Sequence, residues 1–123
     1  MTAPNMLSPS SIYPKTTAVA LSTTSETNLL VNASSSGKTI RVQSVYAANV
    51  DGSNPADISL KWYNAASGGT GYHLAKTIAV PADATVVLLA ADAYIWLEEN
   101  TRLTVQASAA DDIEIVCSYE ETT

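Results

Sequence analysis

Phenylalanine is absent from this sequence, histidine and cysteine occur once each, and only six residues are basic. Each shortage closes a class of function. One cysteine cannot form an internal disulfide. Cys117 falls between Ile115 and Tyr119 on the apolar side of an alternating stretch, which makes it a small buried hydrophobe rather than a reactive thiol. His73 has no second histidine or cysteine near it in sequence, so no zinc or iron ligand set is spelled out and neither metal nor cofactor is expected. Serines and threonines are plentiful, but a lone histidine without a surrounding motif gives them no base. No catalytic residue is expected, and the chain reads as a non-enzyme. Lys15, Lys38, Arg41, Lys61, Lys76 and Arg102 stand singly against twelve acidic residues, for a net charge of −6. Phosphate backbones and anionic lipid draw on clustered cations, so neither nucleic acid nor a membrane surface is an expected partner. No apolar run approaches the roughly 20 residues that cross a bilayer. The longest, from Ala79 to Trp96, is broken by Pro81, Asp83 and Asp92. The opening Met1-Thr2-Ala3-Pro4-Asn5 lacks the basic start and apolar stretch of a secretory signal, so folding in a cytoplasm is expected.

What is present is alternation. Ile113, Ile115, Cys117 and Tyr119 interleave with Glu114, Val116, Ser118 and Glu120, as a strand with one buried and one wetter face requires. Ile58, Leu60 and Trp62 oppose Ser59, Lys61 and Tyr63 in the same way, and Leu103, Val105 and Ala107 oppose Arg102, Thr104 and Gln106. Nothing resembles an amphipathic helix. Strands are expected at Thr16–Leu21, Thr27–Asn32, Thr39–Asn49, Asp57–Tyr63, Tyr72–Val80, Thr85–Leu89, Tyr94–Leu97, Arg102–Ala107 and Ile113–Glu120. Their spacing predicts an all-β fold, a single antiparallel β-sandwich or jelly roll of about eight to nine short strands. Residues 1–12, with Pro4 and Pro9, read as an extended N-terminal arm, and 13–123 as the β-sandwich domain. The Thr85–Ala91 stretch is apolar on both faces, which predicts a central strand or one covered by a neighbouring subunit.

Four groups of residues invite a chemical reading. The Asp51–Asp57 loop offers oxygen ligands for calcium, but its spacing is not that of a twelve-residue calcium loop and it lacks a terminal bidentate Glu, so a solvated turn is the better reading. Glu98 and Glu99 are adjacent and point apart, so they cannot flank one glycosidic bond. Asp111-Asp112 reads as a solvated turn, and Gly68-Gly69-Thr70-Gly71 lacks the lysine of a phosphate loop. Tyr63, Tyr72, Tyr94 and Trp96 are the residues that would line a sugar-binding surface, although strand aromatics more often pack core and interface.

The C-terminal half runs Pro81-Ala82-Asp83-Ala84, the apolar Val86–Ala91, Tyr94-Ile95-Trp96-Leu97, Leu103-Thr104-Val105-Gln106-Ala107-Ser108 and a closing Ile113–Glu121 strand. It resembles the small β-sandwich virion structural proteins of tailed bacteriophages, and Tyr13–Leu21 and Thr39–Tyr46 are similar in a looser way. The resemblance covers most of residues 13–121 and departs at Ala90-Ala91-Asp92, where a Gly-Asp turn is commoner. It implies a capsid decoration or cement protein on the virion surface, often a homotrimer, that binds the major capsid protein and stabilises the assembled head. Alternatives are a tail, neck or baseplate component, or a carbohydrate-binding host-recognition module. A cement subunit gains by spreading modest contacts over several neighbours. The arm would supply such contacts through Leu7, Ile12 and Tyr13, the expected partner-binding residues.

Overall fold

A computed structural model describes residues 4–123 and shows nine strands with a single short 3-10 turn at Ala91–Ala93. The strands are β1 (Ile12–Ala20), β2 (Thr27–Asn32), β3 (Thr39–Asn49), β4 (Ala56–Tyr63), β5 (Gly71–Val80), β6 (Thr85–Leu89), β7 (Ile95–Leu97), β8 (Thr101–Ala107) and β9 (Ile113–Thr122). One sheet has the order β1-β9-β3-β6, with β7 following β6 along the same edge of β3; the other has the order β2-β8-β4-β5. Every pairing is antiparallel. Apart from the β4–β5 hairpin and the β6–β7 edge, successive strands cross between the layers, and the two strand orders are those of a jelly roll.

The core lies between the sheets and follows the alternation. Val42, Val45, Ile115 and Cys117 of the first sheet face Ile58, Leu60, Leu103 and Val105 of the second, all fully or almost fully buried. Two buried amides pin the layers. Asn32 Nδ2 donates to the carbonyls of Lys38 and Leu97, and Asn49 Nδ2 to those of Asn54 and Val80. Each serves one loop carbonyl and one at the last residue of a strand, Leu97 of β7 or Val80 of β5. Asn100 and Asp111 adopt φ of 63° and 64°, left-handed turn conformations that these side chains tolerate best.

Three expectations are corrected. First, β1 begins at Ile12 rather than Thr16, because Ile12 to Ala20 pairs continuously with Thr122 to Glu114. Pro14 is tolerated there since β1 is an edge strand and one side needs no donor. The pairing reaches further back still, with Ser10 and Ser11 donating to the Thr123 carbonyl, so the free arm ends near Pro9. Second, β6 is a short edge strand and not a central one, so of the two readings of its apolar faces only cover by a neighbouring subunit stands. Its apolar outer face is uncovered, with Val87 52% exposed. Third, Trp62, on the apolar phase with Ile58 and Leu60, packs against the core but is only partly buried, with Tyr72 beside it at 6.1 Å between ring centroids.

Candidate interaction surface

The two sheets differ in what covers their outer faces. On the four-stranded sheet the Glu26 carboxylate accepts hydrogen bonds from Tyr63 Oη at 2.8 Å and Thr104 Oγ1 at 2.5 Å, with Lys61 Nζ at 3.9 Å. Partial burial works to raise its pKa, but the hydrogen bonds from Thr104 and Tyr63 and the charges of Lys61 and Arg102 outweigh it and hold the group below the usual carboxylate range. Gln106 Nε2 donates to Thr24 O. The Arg102 guanidinium stacks on Tyr63 at 3.8 Å and donates to the carbonyls of Ala65 and Gly68. Loops 22–26 and 64–70 therefore satisfy this face from within the subunit.

The outer face of the five-stranded sheet has no such cover. Its pairing register builds transverse rows of side chains. One row runs Ala18, Val116, Tyr46, Val87 from β1 to β6, with Val116, Tyr46 and Val87 39%, 40% and 52% exposed. The neighbouring row is small and hydroxylic, Thr16, Ser118 and Ser44. Charge appears only beyond these two rows. At one end stands Glu114, on the line of Ala20, Ala48 and Thr85. At the other, Arg41 lies between Glu120 and Trp96. Arg41 packs 4.0 Å over the Tyr94 ring, its nearest contact to Glu120 is a long 3.9 Å, and its Nε is buried without an acceptor. Tyr94 and Trp96 meet edge to face at 6.0 Å, both exposed. Sequence reasoning missed this surface. Tyr46, Val87 and Val116 occupy polar-phase positions of their strands, and only the pairing register shows that they fall on one line.

Of the expected partner-binding residues, Leu7 is 97% exposed on a turn in which Ser8 N donates to Asn5 O. Ile12 and Tyr13 are exposed on β1, so the structure does not bring the three together as one cluster. The sequence up to Pro14 holds no charged side chain. The arm is rooted beside Glu121, which is 8% exposed and paired with both Lys15 and Lys38. The hydrogen bond from Lys15, joined by that from Lys38, holds the Glu121 carboxyl below the usual range against the opposing effect of burial.

The remaining candidates have local explanations. The Asp51 carboxylate caps its own turn, accepting from Ser53 N at 2.7 Å and Asn54 N at 3.3 Å, and these bonds lower its pKa. Among the described residues no three His, Cys, Asp or Glu side chains gather. A cleft of about 210 Å³ holds Asp57, Ser59 and Ser108, yet both hydroxyl oxygens accept backbone N–H groups, from Thr77 and Asp57, and His73 is not among its lining residues. The four aromatics proposed for sugar do not converge. Tyr72 and Trp96 join Trp62, Leu74 and Ile95 in an apolar cleft of about 220 Å³ at the open edge, whereas Tyr63 points to the opposite side of β4. Cys117 is fully buried, and burial pushes its thiol up to about 12. No described helix is long and apolar enough to cross a membrane.

No protein-family model and no curated protein matches this chain. A solved chain from the Bacillus endospore appendages, described as a novel family of disulfide-linked pili, shares the fold with a TM-score of 0.52 and 14% identity, over 91% of this chain and 88% of that one. This corrects the reading as a phage capsid decoration protein: the solved neighbour is a bacterial appendage protein and not a phage protein. The physical reason is that alternating strands and acidic turns recur in any jelly roll of this size, so they carried the fold and not the role. The expectations tied to that reading, the major capsid protein as partner, a homotrimer and a place on the virion, lose its support.

Proposed function

We propose that this chain is a non-enzymatic structural subunit that works by assembling with copies of itself into a larger array. The observation that carries the reading is the uncovered, nearly uncharged outer face of the five-stranded sheet, set against an opposite face satisfied by its own loops. Exposed apolar patches rimmed by polar groups on a soluble chain favour association. The likeness to an appendage subunit supports an architectural role for the fold, but the means of linkage must differ. That neighbour belongs to disulfide-linked pili, while the only thiol of this sequence is buried in the core. Assembly in this reading does not run through disulfides. In this reading Leu7, with Ile12 and Tyr13 at its root, is a second contact by which the arm reaches a neighbour.

Sedimentation velocity and electron microscopy of the full chain over a range of concentrations test this. The expected result is species larger than a dimer, reduced in size when residues 1–9 are deleted while strand content by circular dichroism is unchanged. The cut precedes Ser10 because Ser10 and Ser11 already bond to the C-terminal residue. A chain that stays monomeric at every concentration refutes the reading.

A further inference from the structure

Resting on the assembly reading above, we infer that the Met6-Leu7 tip of one copy's arm seats in the aromatic cleft between β5 and β7 of the next copy. The arm is not a loose tail at this point. Ser8 N donates to the Asn5 carbonyl at 3.1 Å and Leu7 N to Asn5 Oδ1 at 3.0 Å, so residues 5–8 close a turn with Met6 and Leu7 at its two central positions. The turn holds two apolar side chains away from the fold, Met6 49% and Leu7 97% exposed. An aliphatic side chain on a closed turn is a preformed knob, which binds without first having to be ordered.

The cleft supplies the matching hollow. Trp62, Tyr72, Leu74, Ile95 and Trp96 line its 220 Å³ or so, and an apolar cavity of about 150 Å³ already takes a group the size of benzene. The almost wholly apolar lining suits a hydrocarbon side chain better than a hydroxylic ligand. Neither tip nor cleft has a charge to strip of water, in a chain of net charge −6. The two cannot meet within one chain. Ser10 is bonded to the Thr123 carbonyl, which leaves Leu7 about 10 Å of extended chain beyond that anchor. β7 lies beyond β9 and β3 from β1, about 14 Å across the sheet, and Trp96 stands on the line of Arg41 and Glu120, about 10 Å along the strands from Thr123. The occupant is therefore another copy. Tip and cleft sit at opposite edges of the sandwich, so the contact is heterologous: each copy gives one tip and receives one, and the series grows as a ring or filament instead of closing as a two-fold dimer.

Sedimentation velocity of the full chain tests the contact, with tryptophan fluorescence as a local probe, since both tryptophans of the sequence line the cleft. Leu7→Asp removes the knob and Leu74→Asp spoils the hollow. Each forfeits the burial of a leucine and should weaken association about tenfold or more. Mixed in equal amounts, the two variants keep one intact tip and one intact cleft, and should recover one-to-one pairs with nothing longer growing from that contact. Wild-type emission should shift to the blue as concentration rises, and Leu7→Asp should lose that shift although its cleft is untouched. Tyr72→Ala, at an exposed side chain, is a second cleft variant should Leu74→Asp disturb β5, and thermal melts check folding. Assembly unchanged in Leu7→Asp or in both cleft variants, a mixture no more associated than its components, or wild-type assembly without a tryptophan shift overturns the inference and leaves the assembly reading standing. A wild-type chain that stays monomeric at every concentration refutes that reading itself.

Discussion

Chemical access to Cys117 is the sharpest probe of non-covalent assembly. Its thiol is fully buried, between Thr17 of β1 and Val45 of β3 across the sheet, and burial raises its pKa from 9.0 to about 12. At about pH 8 the unfolded chain would hold roughly a tenth of its thiol as thiolate, and the native chain about a thousandfold less. The thiolate is the reactive form, so Ellman's reagent should label native protein at least about a thousandfold more slowly than protein in concentrated guanidinium, where one thiol per chain appears at once. Stability carries the same signature. Between 9.0 and about 12 the native thiol keeps a proton that the unfolded chain has lost. Unfolding free energy should therefore fall as pH rises through that window, by about 1.4 kcal/mol per pH unit. Cys117→Ala should remove this slope below about pH 10.5, above which Lys15, its pKa raised by Glu121, adds one of the same sign, at a packing cost of about 1 kcal/mol and with assembly intact. Rapid labelling of native protein, or arrays that dissolve in reductant, would refute the argument.

Glu121→Gln should lower stability near neutral pH by about 1 kcal/mol, discounted because Lys15 and Lys38 are themselves partly exposed. The carboxyl is depressed in the folded state, so its contribution is full above the ordinary carboxylate range and lost as pH falls through the folded pKa; urea melts of wild type and variant should converge in acid. Added salt should strengthen self-association, because a net charge of −6 repels copies at long range while the two middle rows of the uncovered face carry no charge. Sedimentation at low and high ionic strength checks this, and weaker association in salt would mean that ion pairs rather than apolar rows dominate the contact.

Strand positions were legible almost to the residue because each strand keeps one apolar phase, and Gly, Pro, Asn and Asp mark the turns. The start of β1 was placed late, at Thr16, since Pro14 and Lys15 do not continue the apolar phase; edge pairing with β9 decides the matter, and single-strand periodicity cannot see a partner a hundred residues away. β6 was misplaced for a related reason. Its apolar character on both faces was read as a central position or as cover by a neighbouring subunit; only the first fails, since within the subunit one face is bare. Buried Asn32 and Asn49 were equally invisible, because an asparagine at a strand end reads as solvated until the carbonyls it serves are located. The uncovered face was hidden in the register. Tyr46, Val116 and Val87 are far apart in sequence, and two antiparallel pairings are needed to align them.

That register is itself hard to disturb, which is what fits the face for recognition. β9 is held on both sides, by β1 and β3, and its alternation sends Ile113, Ile115 and Cys117 to the core and Glu114, Val116 and Ser118 outward. A slip of one residue would bury Glu114 and expose three core side chains, at a cost no local contact could offset. The strand that hides the thiol therefore also fixes where Val116 and Glu114 stand. In a jelly roll with accessible cysteines, copies can be joined covalently wherever two thiols meet. With the cysteine turned inward, the proposed assembly rests on side chains of the other phase of the same strand, whose spacing is set by the pleat rather than by a flexible loop.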